Sequence, residues 1–237
     1  MTAREYTAIS EQDAEAKQLV DKVADRSIDV ASYRATMERM GHKLAQAILP
    51  NLLQSKKGDF FVVCTVEDAD FLARGVIDEL TAANVGDRVK LLCLWNEKIR
   101  EEAVSLSPIL KEYKEKSPEG AAAFIVVKSI ISGACVVKTN LTRALSYESP
   151  EQVFVASPVL LKGAQERLSA EFPAEVAEKF NFVWLATDSE KKGEDVLPGI
   201  GGSVYERLGL GDEHAKNRHI PSIVKERRQP RASVAFA

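Results

Sequence analysis

"AFIVVKSIISGACVVKTNLTRAL", residues 123–145, passes from an apolar, β-branched run through a turn of small residues into a stretch of helical spacing. A strand that hands over to a helix in this way leaves unpaired N–H groups at the helix start, and such groups attract phosphate. Ser132, Gly133 and Ala134 occupy the turn, and Cys135 opens the helix. Gly133 lets the main chain come close to an anion, and the Ser132 hydroxyl adds a donor. Lys128 stands at the mouth of this turn. An ammonium there either attracts a second phosphate or carboxylate, or lies along the strand end with its stem on apolar surface.

Four more runs resemble the strand at 124–127: "FFVVCTV" (60–66), "VKLLCLW" (89–95), "VFVA" (153–156) and "FVWLAT" (182–187). Nearly unbroken apolar sequence of this kind suits strands buried on both faces of a parallel sheet. Helical spacing fills the intervals at 67–83, about 132–147 and 159–180, the last broken near Pro173. Strand and helix alternate, so the expected class is α/β: a mostly parallel five-stranded sheet flanked by helices. Ahead of the first strand, Tyr33, Met37, Met40, Leu44 and Ile48 recur at helical intervals, and Pro50 is expected to close that helix.

The expected organisation is an N-terminal helical arm (1–31), a main domain (32–211) and a C-terminal tail (212–237). The charged stretch 96–122 is long for a connection, and reads either as a lid or flap, or as a solvated helix. Composition narrows the function. Lys and Arg number 32 against 35 Asp and Glu, so no global field favours nucleic acid or an anionic membrane. Cys64, Cys93 and Cys135 stand singly, which argues against a disulfide framework or a zinc site. His214 and His219 are too loosely spaced for a metal site, and His42 falls on a helix. No apolar leader or membrane-length run is present, so the expectation is a soluble, cytoplasmic protein.

The order of segments over about residues 32–210 resembles the uracil phosphoribosyltransferase family, which has the type I phosphoribosyltransferase fold. That family's phosphoribosyl-pyrophosphate loop follows an apolar strand and reads Asp-Pro-Met-Leu-Ala-Thr-Gly-Gly-Ser. Laid on this chain, Ser132 falls at the threonine, Gly133 and Ala134 at the glycines and Cys135 at the serine. The aspartate falls on Val127, followed by Lys128. In the family an acid here accepts hydrogen bonds from the ribose hydroxyls, which neither an aliphatic side chain nor an ammonium can do.

The second landmark, "DVLPGIGGSVYERLGLG" (195–211), is similar to the family loop Ile-Val-Pro-Gly-Leu-Gly-Asp-Ala-Gly-Asp-Arg. Pro198, Gly199, Ile200 and Gly201 match in order. The resemblance implies a small hood near 188–211 that reads a base edge through the main chain at Val196, Leu197, Gly199 and Gly201. Arg74, Lys98 and Arg100 are pyrophosphate candidates, displaced from the family's positions.

What the resemblance implies is a protein that binds a nucleobase, nucleotide monophosphate or phosphosugar, with transfer from phosphoribosyl pyrophosphate weak, lost or redirected. An active pyrimidine enzyme making UMP is the alternative, with Mg²⁺ as its cofactor. From another class, a non-catalytic interaction protein remains, presenting the 96–122 excursion or the basic "VKERRQPR" (224–231). The resemblance also implies a homodimer, with residues 1–50 contributing.

Overall fold

All five apolar runs fall on strands; four of these are buried on both faces, as unbroken β-branched sequence requires, and the fifth, Phe180–Asp188 near the sheet edge, is half-buried at Phe182, Val183 and Trp184. The structure, a computed structural model, describes residues 4–101, 104–193 and 195–228, without the side chains of 100, 101, 104 and 105. In chain order, β1 (Arg4–Tyr6) leads into α1 (Ala8–Gln12), α2 (Ala14–Ala24) and the long α3 (Val30–Leu52). The first parallel strand, β2 (Asp59–Thr65), is followed by α4 (Val66–Asp68), a wide π turn (Ala69–Ala73) and α5 (Arg74–Ala82). Then come β3 (Val89–Asn96), β4 (Ile99–Glu101), β5 (Val104–Leu106) and β6 (Ile109–Lys114). β7 (Ala121–Val127), β8 (Ile130–Ile131) and α6 (Cys135–Leu145) carry the stretch quoted at the outset. β9 (Gln152–Leu161), α7 (Ala164–Ser169), α8 (Ala174–Ala177) and β10 (Phe180–Asp188) complete the core. A small hairpin, β11 (Glu190–Lys192) and β12 (Asp195–Leu197), precedes α9 (Val204–Arg207), α10 (Glu213–Arg218) and α11 (Ser222–Arg228).

The sheet runs β1-β10-β9-β7-β2-β3-β6, with β8 beside β9. Its five central strands are mutually parallel, and β1 and β6 cap the edges antiparallel. Successive residues of β2 face opposite ways: Phe60, Val62 and Cys64 pack under α3 and α5, Phe61 and Val63 under α6. α3 and α5 touch main chain to main chain at two glycines. A Cβ on Gly41 would stand 2.2 Å from Leu72 O, and one on Gly75 2.0 Å from Glu38 O. The seam therefore admits no larger residue at either position.

Five sequence expectations are corrected. The N-terminal arm is partly strand, since β1 pairs with β10 in the register Arg4↔Asp188. Pro50 lies inside α3, which runs on to Leu52. The segment 159–180 is not one broken helix, because β9 continues through Val159, Leu160 and Leu161 before α7 begins. Pro158 lies where β9 changes partner, from Ala156 opposite Val127 to Val159 opposite Ile130. The excursion 96–122 contains no helix among its described residues; β4 and β5 form a two-stranded ribbon and β6 extends the sheet. The tail, finally, is docked through residue 228, with Ile223 and Val224 buried, and residues 229–237 lie outside the described chain.

Candidate functional site

In open parallel sheets, ligands bind outside the carboxyl ends of the strands where the winding direction reverses. Here the chain goes from β2 to β3 on one side and returns to β7 on the other, so that point lies between β2 and β7. The residues delivered there are Thr65 at the end of β2, Glu67 and Asp68 just beyond it, and Lys128 and Ser129 after β7.

They form a closed ion cluster. Lys128 Nζ lies 2.7 Å from Asp68 Oδ2 and 3.2 Å from Glu67 Oε1. Asp68 Oδ2 also accepts from the Thr65 hydroxyl at 2.8 Å, and its Oδ1 accepts from the Ser129 amide at 3.2 Å. Lys216 of α10 enters from above, donating to Asn96 O at 3.1 Å and standing 3.7 Å from Glu67 Oε2. All four charged side chains are close to fully buried, and their formal charges cancel. Burial pushes the Glu67 carboxyl up, but the Lys128 and Lys216 ammonium groups outweigh it and hold the group at about 2. Burial likewise opposes the charge on Lys128, and Asp68 and Glu67 reverse that effect, so its ammonium persists well above the ordinary range. Of the alternatives open for Lys128, phosphate, carboxylate or apolar surface, its ammonium here meets the protein's own carboxylates.

The turn beyond it is different. Gly133 is exposed, a Cβ there would meet no atom of the described residues within 4 Å, and Ser132, Ala134 and Cys135 are half-buried. Among the described residues, the amides of Gly133 and Ala134 find no protein acceptor. The first helical bond of α6, from Lys138 N to Ala134 O at 2.7 Å, aligns the helix behind them. Cys135 Sγ lies 3.3 Å from Ser107 Oγ, which ties the turn to the base of the β4–β5 ribbon.

The loop after β10 offers less than its motif suggests. Gly199 N donates to Asp188 Oδ2 at 2.8 Å, and Gly199 O accepts from Arg4 Nη2 at 2.6 Å. Asp188 is fully buried, and Arg4 grips its two oxygens at 2.8 and 2.7 Å. Ile200 O accepts from the buried Tyr33 hydroxyl at 3.1 Å, Gly201 N faces Pro198 O at 3.5 Å, and Val196 and Leu197 pair with Lys191 and Glu190 in the hairpin. The Gly199 main-chain groups expected to read a base are therefore already taken.

Of the pyrophosphate candidates, Arg74 is held by Glu226 of α11 through two bonds of 3.1 and 3.0 Å, so it is a structural clamp. Lys98 is exposed between β3 and β4, and its amide donates to Glu213 at 2.7 Å. Arg100 lies on β4, and its side chain is outside the described residues. Glu67, Asp68, Asn96 and Lys216 are the site residues that sequence reading passed over. The acidic pair in "VEDAD" directly after a buried strand was the available signal.

The C-terminal segment closes this end of the sheet. Trp95 Nε1 donates to His219 O at 2.9 Å, Lys111 Nζ to Asn217 O at 3.0 Å, and Asp70 accepts the amides of Ser222 and Ile223 at 2.9 Å each. Surface hollows of about 360 and 420 Å³ lie elsewhere, by Lys56 and Glu151 and by Tyr6 and Trp184.

No protein-family model and no curated protein matches the sequence. Among solved structures, the chain is similar to the AQ2163 protein of Aquifex aeolicus, with a TM-score of 0.62 at 15% identity over 81% of this chain and 93% of that one. Fainter likenesses are TT1426 from Thermus thermophilus (TM-score 0.46, 14% identity, 76% and 94% covered) and orotate phosphoribosyltransferase from Mycobacterium tuberculosis (0.43, 12%, 76% and 95%). The AQ2163 likeness is one of α/β fold. No described helix is long and apolar enough to cross a membrane.

Proposed function

We propose that this chain is a phosphoribosyltransferase-like protein that binds the phosphate of a small nucleotide or phosphosugar at the turn 132–135, with base transfer weak, lost or redirected. The observation that carries this reading is the open turn: the amides of Gly133 and Ala134, without an acceptor among the described residues and at the head of an eleven-residue helix, lie beside the point where the winding reverses. The loss of transfer is supported by the cluster next to it. A ribose diol needs a free acid, yet Val127 and Lys128 cannot accept, and both oxygens of Asp68 are already engaged. A UMP-forming enzyme would also need loop 195–201 to read the uracil edge, and the Gly199 N–H and C=O are occupied.

The described residues suit Mg²⁺ poorly. They contain no group of three metal-binding side chains, and the one carboxylate oxygen of the cluster without a hydrogen bond, Glu67 Oε2, faces an ammonium at 3.7 Å. The homodimer and the cytoplasmic setting rest on the resemblance and on composition. A scattering mass of twice 26.1 kDa is expected, and a mass of one chain would remove the dimer.

Calorimetric titration with UMP, uracil, ribose 5-phosphate and phosphoribosyl pyrophosphate tests the function. The phosphate compounds should bind and uracil should not. Ser132→Ala should weaken phosphate binding about 3- to 10-fold, the worth of one hydrogen bond. Turnover to UMP would restore the enzyme reading, and silence with every compound would favour an interaction protein.

A further inference from the structure

The segment over the strand ends is built differently from the rest of the fold. α10 buries no apolar side chain; the residues it buries are Lys216 and Asn217. It is held by polar contacts: Lys216 to Asn96 O, Lys111 to Asn217 O, Trp95 to His219 O, and the Lys98 amide to Glu213. Lys216 also lies over the Tyr205 ring, 5.4 Å from its centroid. At this joint three buried acceptors find no hydrogen-bond donor among the described residues: Glu67 Oε2, Asn96 Oδ1 and Asn217 Oδ1. Each unmade bond weighs against the closed state, because water or a ligand donor would satisfy the oxygen once the helix lifts. Chain ends suited to movement flank the segment. Gly209 and Gly211 precede it in left-handed conformations, and Pro221 follows it, just before Ile223 and Val224 anchor α11 in the core.

We propose that residues 212–219 are a displaceable latch, in which Lys216 fills the acid-lined end of the crevice as an internal stand-in for ligand donors, and that lifting it uncovers Glu67 and Asn96. The ligand class that would replace it carries hydroxyl or other hydrogen-bond donors beside a phosphate, as a sugar phosphate does. The stand-in role rests on the phosphate reading of the turn, whereas the opening itself does not.

Hydrogen exchange on the full chain reads the opening. Amides at 215–219 should exchange at least about 100-fold faster than those of β2 and β7, as a locally opening unit does. Exchange at the rate of the sheet strands would overturn the latch. Lys216→Met should accelerate opening about 10-fold further and tighten ribose 5-phosphate binding at least about 3-fold, because the competitor is removed. Unchanged or weaker binding in Lys216→Met would overturn the stand-in role. If ribose 5-phosphate binds neither protein, the phosphate reading of the turn and the stand-in role fall together, and the exchange rates still decide the latch.

Discussion

The two loops that the sequence marks for ligand behave in opposite ways. The loop 195–201 keeps the better motif, Pro198 to Gly201 in order, yet its main chain is tied to Asp188, Arg4 and Tyr33. The turn 132–135 carries neither the acid nor the second glycine of the motif it resembles, and it stays open, with no acceptor for the amides of Gly133 and Ala134 among the described residues. Both are glycine-containing loops at the same end of one sheet. What separates them is whether a buried partner already satisfies the backbone, and a motif cannot report that. In the first loop glycine serves the fold, because Gly199 sits at φ +59° with a would-be Cβ 2.2 Å from Val196 O. In the second it leaves space that no described residue fills.

The strongest way to break this comparison is to remove the partner of the closed loop. Asp188→Ala would leave the Arg4 guanidinium buried without its carboxylate and Gly199 N without an acceptor. Breaking a buried pair from one side costs about 3–5 kcal/mol, so a large loss in urea unfolding midpoint is expected. Phosphate binding measured below that midpoint should survive, since the turn belongs to other strands. A stable Asp188→Ala protein, or one that folds but no longer binds phosphate, would show that the two loops are not separate in role.

The sheet was legible because its signal is continuous apolarity: β2, β3, β7, β9 and β10 all coincide with the runs. The errors fall where the deciding contacts are polar or non-local. The apolar run marks only 153–156 of β9, and the residues from 159 read as the start of a helix. Pro158 is tolerated here because it sits between the β7 and β8 pairings, and no hydropathy pattern encodes that gap. The docking of 212–228 depends on Asp70, Trp95 and Lys111, residues about a hundred or more positions away, while its own composition is that of a solvated tail. Lys128 was legible as an unexpected charge after β7. Its partners, Glu67 and Asp68, follow β2 and become neighbours only through the parallel pairing of Cys64 with Val127.

A smaller perturbation sharpens the comparison further, because the same methyl group can be added to both loops. In Gly199→Ala it must occupy a left-handed backbone position and meet Val196 O, and a strained residue of this kind costs about 1–3 kcal/mol. In Gly133→Ala it enters open space, so stability should change by no more than about 0.5 kcal/mol. The amide remains in both variants. If the turn is the phosphate site, Gly133→Ala should bind phosphate compounds less well without becoming less stable, because the methyl narrows the approach of the anion to the main chain. Gly199→Ala should do the reverse, losing stability while binding persists below its unfolding midpoint. Equal stability losses in the two variants would mean that the turn is held by contacts the open geometry does not contain, and the distinction between a loop used for folding and a loop left for a ligand would collapse.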